Sequence, residues 1–353
     1  MARILSTATA IPAHEATRAD FEELFARLVP SETWSRRRTG ELFQGTRIER
    51  RFSALPLEEV LRPRSLTRSN QEYRRHAIVL AERVARECLE RAGTLASEVD
   101  LVIVASCTGI LLPSLDVYLA NELGFRSDVR RLPLTELGCA GGAVALSRAH
   151  DYTAAFADAK VLVLAVELPT LCFQSRDSSV SNLVASAIFG DGAAAALVTG
   201  DGAGTGAGVR ILETLSHLTP GSADALRFDL LDDGFHAVLS EELPRLIQEG
   251  IRGLVDDLAG RGGITREQIK WFLFHAGGKK ILAYLEEELG LGREVTEASW
   301  SVLRDYGNQS SASVFFVLHR WLNNAMRPGS GEYGLMAAFG PGLSTEMLLL
   351  QCD

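Results

Sequence analysis

The chain has 353 residues, enough for two ordinary domains or one large α/β unit. With 46% hydrophobic and 23% charged residues, its composition is that of a globular protein, which excludes disordered, collagen-like and disulfide-scaffold classes. The net charge of −9 argues against a general nucleic-acid binder, because such proteins need an excess of cations. Apolar runs are far shorter than the ~20 residues that span a bilayer, and the first residues do not resemble a signal peptide. We therefore expect no membrane span and a cytoplasmic location.

Residues 36–75 form a locally basic segment, with eleven Arg against five Glu. Two interpretations are open. The segment forms a positive surface that attracts a phosphorylated small molecule, because guanidinium groups pair well with phosphate oxygens, or it is a solvated helical face with surface ion pairs.

The predicted elements begin with helices over the first ~90 residues, where apolar residues recur at helical spacing in residues 21–28 and again in residues 71–92. A continuous apolar run with β-branched residues predicts a buried strand from residue 101, and residues 161–166 predict another. Between them we expect a helix over 114–123, a strand over 130–134 and a helix over 140–156. The alternation of strands and helices places the fold in the α/β class.

The second half of the chain echoes the first. The segment that starts Gly138-Cys139 resembles the one that starts Gly307-Asn308, and residues 189–198 resemble residues 339–349. We infer two similar halves, residues 1–205 and 206–353. The glycine-rich segment 200–208 between them does not match a dinucleotide-binding Gly-x-Gly-x-x-Gly loop in any register, so it is interpreted as a turn.

Cys139 is the candidate nucleophile. The five cysteines have no Cys-x-x-Cys spacing, which indicates reduced thiols or one nucleophile rather than a zinc site or a disulfide framework. Cys139 follows a glycine at the start of a predicted helix, where the helix dipole favours the thiolate; a buried cysteine that fills the core is the alternative. His275 ends a predicted strand and Asn308 starts a predicted helix. Each alone is explained by a core histidine and a helix cap, but together the three make a nucleophile with electrophilic helpers.

Four motifs then carry a resemblance over nearly the whole chain: LGCAGG at 137–142, AIFGDGAA at 187–194, HAGG at 275–278 and YGNQSS at 306–311. With them the chain resembles the type III polyketide synthases, the chalcone synthase-like branch of the thiolase-fold condensing enzymes, and looks bacterial. The resemblance implies a thiolase-like α/β fold of two βαβαβ-type halves, layered α/β/α/β/α. Ketoacyl synthase III enzymes share a Cys-His-Asn trio, but the FGDG and FGPG motifs favour the type III branch.

The reaction that this resemblance implies is iterative decarboxylative condensation of malonyl-CoA onto an acyl-CoA starter held on Cys139. His275 is expected to pair with the thiolate, and His275 and Asn308 to stabilise the enolate. The family implies a homodimer without a cofactor. An alkylpyrone or alkylresorcinol is the expected product. A tetrahydroxynaphthalene-type synthase that uses malonyl-CoA only, a ketoacyl synthase III-like enzyme and a non-enzymatic acyl-binding protein remain alternatives.

Further site residues follow from the same resemblance. Phe189 and Phe235 resemble the family's two gating aromatics, and small residues at 185 and 187 leave room for a long starter if they face the cavity. The other expected substrate-binding residues are Cys107, Cys172, Gly340, Pro341 and Gly342. The expected CoA-binding residues are Arg38, Gly277, Gly278, Lys279 and Lys280. The family's other basic positions are Glu41 and Gly45 here. Leu112-Pro113 matches a loop that crosses the family's dimer interface.

Overall fold

The computed structural model describes residues 2–28, 36–177, 179–203, 208–323 and 329–353, and for residues 26–28 and 36–39 it describes the main chain only. In this part of the chain the strands are β1 (Ala2–Ala10), β2 (His14–Thr17), β3 (Arg50–Ser53), β4 (Leu101–Ala105), β5 (Arg130–Leu134), β6 (Lys160–Glu167), β7 (Gly192–Thr199), β8 (Val209–Leu218), β9 (Leu226–Leu231), β10 (Gly234–Leu239), β11 (Ile269–Phe274), β12 (Tyr333–Gly340) and β13 (Ser344–Cys352). The helices are α1 (Arg18–Leu28), α2 (Arg36–Gly45), α3 (Leu57–Val60), α4 (Leu66–Arg91), α5 (Leu115–Leu123), α6 (Gly141–Ala155), α7 (Val180–Ile188), α8 (Leu243–Arg261), α9 (Lys279–Leu289), α10 (Glu297–Tyr306) and α11 (Ser313–Leu322).

Nine strands form one sheet whose order displays the duplication. The order is β11-β12-β13-β8-β1-β7-β6-β4-β5, with β8 and β1 adjacent near its middle. Outward from that pair, each half continues with two antiparallel pairings and then a parallel one: β1-β7-β6-β4 on one side and β8-β13-β12-β11 on the other. The two halves thus have matching topology, with β5 as an additional edge strand beside β4.

Helices lie in layers around these strands. The central helices α6 and α11 pack on each other, and each contacts strands of both halves. Helix α4 covers the outer face of the first half, against β1, β6 and β7, and α8 covers β8 and β13 of the second. This is the layered α/β/α/β/α arrangement expected from the sequence. It places the starts of α6 and α11, and hence Cys139 and Asn308, at equivalent positions of the two halves.

The predicted elements from residue 101 onward are found at nearly the expected bounds, but the helical prediction for the first 90 residues is incomplete. Helices α1 and α4 are present, yet β1, β2 and β3 also occur there. Strand β1 was missed because its sequence, ARILSTATA, mixes small and polar residues and lacks a β-branched apolar run. It is buried by its place between β7 and β8. The predicted boundary between residues 205 and 206 lies outside the described residues.

Candidate active site

The turn that carries Cys139 is shaped by close backbone packing. Gly138 has φ +51°, and a Cβ at this position would lie 2.5 Å from Cδ of Pro341. A Cβ at Gly340 would lie 2.7 Å from Cβ of Ala140. Glycine is required at both positions because no side chain fits. The predicted substrate-binding motif 340–342 therefore packs against the turn that carries Cys139 and supports it.

His275 directly follows β11, and its main-chain N–H donates to the carbonyl of Ala337 in β12 (2.8 Å). The same strand β12 ends at Gly340, beside the Cys139 turn, so the sheet brings the imidazole toward the thiol. The ring is 2% exposed, and neither Nδ1 nor Nε2 has a hydrogen-bond partner among the described residues. A buried imidazole with both nitrogens unpaired is costly for folding, which is typical of a group kept for chemistry.

Asn308 is held by a network of hydrogen bonds. Its Nδ2 donates to the carbonyl of Gly277 (3.2 Å), and its Oδ1 accepts from the main-chain N–H of Ser310 (2.8 Å). Its main chain forms an isolated β-bridge with Phe189, in which the N–H of Asn308 donates to the carbonyl of Ile188 at 2.7 Å. These contacts fix the amide beside the residues that follow His275. The Asn308 side chain also lowers the pKa of the Cys139 thiol, so these two side chains lie close together. His275 joins them through Gly277, where an added Cβ would lie 3.0 Å from Cδ2 of the His275 ring.

Ser310 is a residue of this site that sequence reasoning missed. Its hydroxyl lies 3.6 Å from Sγ of Cys139 and 3.5 Å from Sγ of Cys107, which links the two thiols. Its φ of +49° is rare for a residue with a side chain and costs free energy that the surrounding packing must offset. The signal available in the sequence was its place two residues after Asn308 in the YGNQSS motif.

Burial dominates the protonation of the predicted nucleophile and its partner. It raises the pKa of the Cys139 thiol to about 11 and lowers the pKa of His275 to about 4. The lowering of the thiol pKa expected from the helix start is therefore outweighed by desolvation. Each group on its own is neutral at pH 7, and only a thiolate–imidazolium pair, whose opposite charges attract, could hold both in charged form.

A cavity lies next to Ser310, and Cys139, His275 and Asn308 are not among the residues that line it. Four of the predicted substrate-binding residues line it: Cys107, Cys172, Phe189 and Phe235. Gly340, Pro341 and Gly342 do not. Ala185 lines the cavity, whereas Ala187 does not and is buried in a cluster with Phe21 and Phe43, since residues two apart on a helix lie on different faces. The cavity is mostly apolar, as binding sites for small molecules usually are.

Glu167, at the end of β6, is a second residue that the sequence did not reveal. It is fully buried, and its carboxyl accepts hydrogen bonds from the main-chain N–H and the thiol of Cys107, from Thr108 Oγ1 (2.8 Å) and from the hydroxyl of Ser311. Burial raises its pKa to about 7. Its negative charge raises the pKa values of Cys107, Cys172 and Cys139 further. Nothing in the local sequence distinguishes it from an ordinary strand-end glutamate.

The predicted CoA-binding residues next to His275 lie together. Gly277 is buried and accepts the hydrogen bond from Asn308, Gly278 precedes α9, and Lys279 and Lys280 begin that helix, the first half-buried and the second exposed. The side chain of Arg38 lies outside the described part of the chain. The helix start at Lys279 and the side chain of Asn308 thus flank the same two glycines.

Comparison with known proteins identifies the family. The family model for the N-terminal domain of chalcone and stilbene synthases matches residues 1–202, and the model for their C-terminal domain matches residues 210–352. The chain belongs to the chalcone and stilbene synthase family. As a member of that family it is a type III polyketide synthase, an acyltransferase-type condensing enzyme.

Individual members of the chalcone and stilbene synthase family are similar over most of this chain. The 1,3,6,8-tetrahydroxynaphthalene synthase of Streptomyces coelicolor is 36% identical over 308 residues, covering 87% of this chain and 81% of that protein. The enzyme of the same name from Streptomyces griseus is 35% identical over 347 residues, which cover 98% of this chain and 92% of that protein. The crystal structure of the S. coelicolor synthase superposes with a TM-score of 0.94 at 33% identity, covering 99% of both chains. The thiolase-like α/β fold follows from this match.

Proposed function

We propose that this type III polyketide synthase condenses malonyl-CoA units onto an acyl group held as a thioester on Cys139. The observation that supports the proposal is that Ser310, which lines the apolar cavity, contacts both Cys139 and Asn308. Gly277, whose carbonyl accepts from Asn308, lies against the ring of His275. Cys139 is a half-buried residue, whereas His275 and Asn308 are buried. Transfer of the thiol proton to His275 gives a thiolate, which attacks the thioester carbonyl of the starter and releases CoA.

His275 and Asn308 act as hydrogen-bond donors in decarboxylation of the extender, malonyl-CoA. When malonyl-CoA loses CO₂, the electrons of the broken C–C bond move onto the thioester carbonyl oxygen and form an enolate. The amide of Asn308 and the ring N–H of His275 are fixed donors that can stabilise this charge, and one such donor is worth about 2.7–4 kcal/mol in a well-formed oxyanion hole. The enolate carbon then attacks the Cys139 thioester, and the cysteine sulfur leaves. This chemistry needs no bound cofactor.

Two combinations of starter and product are candidates for this enzyme. The apolar lining of the cavity, with Ala185 facing inward, favours an acyl-CoA starter and an alkylpyrone or alkylresorcinol. The similarity to tetrahydroxynaphthalene synthases favours a product built from malonyl-CoA alone. Incubation with malonyl-CoA alone, and then with a panel of acyl-CoA starters of increasing length, separates them by product mass. A ketoacyl synthase III-like enzyme would instead require malonyl-carrier protein in place of malonyl-CoA.

The test of the nucleophile is intact-protein mass spectrometry after exposure to acyl-CoA. Wild type should gain one acyl group, and Cys139→Ala should gain none. Cys107→Ala and Cys172→Ala, matched controls that remove other thiols of the site, should still be acylated. An adduct that persists on Cys139→Ala would transfer the nucleophilic role to another thiol. Asn308→Ala should still be acylated but lose malonyl-CoA decarboxylation; equal loss of both would refute the division of roles.

We also propose that the enzyme acts as a homodimer, and, because its substrates would be CoA thioesters, in the cytoplasm. Leu112 is 93% exposed and Ile110 is 47% exposed, in a loop that resembles the family's dimer contact. Strand β5 ends the sheet with a free edge in the described residues, and a second chain can cover such an edge. No helix in the described part of the chain has the length and apolar character needed to cross a membrane.

A further inference from the structure

Arg51 is a buried cation that the proposed reaction does not use. It lies in β3 and belongs to the basic segment of residues 36–75, but the residue is only 6% exposed, so it contributes nothing to a positive surface. Among the described residues no neighbouring carboxylate raises its pKa. Burial lowers the pKa of its guanidinium to about 9. An isolated buried charge is expensive, and an apolar side chain of similar size is commonly at least as stable in such a place.

The guanidinium is instead compensated by main-chain carbonyls and aromatic rings. Nη1 donates to the carbonyls of Ser186 and Phe189, the latter at 3.4 Å, where α7 ends and the negative end of its dipole lies. The guanidinium carbon stands 3.9 Å from the ring centroid of Phe21 and 5.8 Å from that of Phe43, within the range of cation–π attraction. Three of these partners, Phe21, Ser186 and Phe189, line the cavity.

The stem of the same side chain passes between two glycines of the active site. A Cβ at Gly190 would lie 3.4 Å from Cβ of Arg51, and a Cβ at Gly307 would lie 3.2 Å from its Cγ. Gly190 follows Phe189 and Gly307 precedes Asn308, and these two turns are joined by the main-chain bridge between Phe189 and Asn308. Arg51 therefore contacts the predicted gate and the turn before Asn308 at the same time.

We propose that Arg51 is a positioning residue that holds Phe189 in register with the Asn308 turn and so sets how far the polyketide chain extends. This inference rests on the proposed role of Phe189 as a gate between the CoA side and the cavity. Arginine suits the task because its planar guanidinium can stack on a ring while its edge donates to carbonyls, whereas a lysine ammonium has no planar face to stack. Loss of the guanidinium frees the end of α7, and the Phe189 ring shifts against the reacting centre.

The test compares Arg51→Met and Arg51→Lys with wild type and with Arg50→Met, a matched control on the same strand whose side chain is exposed. Both Arg51 variants should be acylated on Cys139 like wild type. We expect kcat for polyketide formation to fall about tenfold and KM for malonyl-CoA to change less than about twofold, with shorter products, because misplaced groups slow chemistry more than binding. Arg50→Met should match wild type in acylation, kcat, KM and product length.

A double variant tests the route through the gate. Phe189→Leu alone should alter the product lengths, and Arg51→Met combined with Phe189→Leu should change them little more, because coupled residues are not additive. The inference is overturned if folded Arg51→Met has the kcat and the products of wild type. It is also overturned if the effects of Arg51→Met and Phe189→Leu on product length simply add, or if neither Arg51 variant folds. If Arg51→Met changes the products but Phe189→Leu does not, Phe189 is not a gate, and Arg51 does not act through it. Failure of wild type to form a polyketide from malonyl-CoA would refute the proposed function itself.

Discussion

At the scale of single residues, burial favours the neutral forms of the Cys139 thiol and the His275 imidazole, whereas the proposed reaction needs the thiolate. Burial keeps each neutral when it acts alone, since it raises the thiol pKa to about 11 and lowers the imidazole pKa to about 4. Nucleophilic attack needs the thiolate. A charged pair satisfies both conditions because the attraction between thiolate and imidazolium is strong where water is excluded.

We expect His275→Gln to reveal this pairing through the pH dependence of iodoacetamide alkylation. In wild type the alkylation rate of Cys139 should persist well below the unperturbed thiol pKa of ~8.5. Glutamine keeps a hydrogen-bond donor but removes the positive charge, so burial alone should then control the thiol and move the profile toward pH 11. Some malonyl-CoA decarboxylation should remain in this variant and disappear in His275→Ala. Identical alkylation profiles in wild type and His275→Gln would refute the ion pair.

Glu167 gives a residue-scale prediction about stability. Its pKa is raised from 4.5 to about 7, so the folded state binds its proton more tightly than the unfolded state does. The stability that this proton contributes is fully present below about pH 4.5 and is lost as the pH rises through 7. Glu167→Gln removes this loss. As the pH rises from 5 to 8, the free energy of unfolding of the variant should therefore increase relative to that of wild type, by roughly 3 kcal/mol at most.

Denaturant unfolding at several pH values measures this difference. Two curves of free energy against pH that run parallel would show that Glu167 has the same pKa in the folded and unfolded states, contrary to what its burial predicts.

At the scale of elements, the contact between the two central helices depends on one glycine. Gly142 lies in the first turn of α6, where an added Cβ would overlap the carbonyl oxygen of Ser311 and lie 3.0 Å from side-chain atoms of Val314 and Phe315. The carbonyl belongs to the main chain before α11 and cannot rotate away. The glycine thus lets the starts of both helices, which carry Cys139 and Asn308, approach each other.

Gly142→Ala should destabilise the protein by about 1–3 kcal/mol through this overlap. The matched control is Gly250→Ala in α8, where an added Cβ meets nothing within 4 Å. That change should stabilise by about 0.4–1 kcal/mol, because alanine restricts the unfolded chain and favours a helix. The free energy of unfolding of both variants measures the difference. Equal stability of the two would show that the helices can separate without cost.

At the scale of the whole molecule, the exposed loop at Leu112 predicts assembly. A leucine that is 93% exposed gains free energy when a second chain covers it. We expect wild type to have twice the mass of one chain by static light scattering, and Leu112→Asp to shift it toward the monomer. Leu95→Asp, at another exposed leucine, is the control and should leave the mass unchanged. A monomeric wild type would refute the homodimer, and an unchanged mass for Leu112→Asp would place the interface elsewhere.

The sequence by itself determined the family, and it predicted the duplication and the trio of Cys139, His275 and Asn308. Glycine-flanked turns, buried strands such as β4 and β6, and motifs around Cys139 and Asn308 are local patterns, and local patterns are readable because they follow from the backbone and from periodic burial. Strand β1 was missed since its residues are small and mixed, and only its two neighbours in the sheet make it a central strand.

Only the tertiary structure decided which distant side chains meet. Glu167 approaches Cys107 and Ser311, and Arg51 reaches Phe189, across large separations in the chain. It also decided that burial outweighs the helix start in controlling the Cys139 thiol, and that Ala185 faces the cavity while Ala187 does not. Such contacts and pKa shifts depend on how two layered halves pack together, and desolvation is a property of all the surrounding atoms rather than of neighbours in sequence.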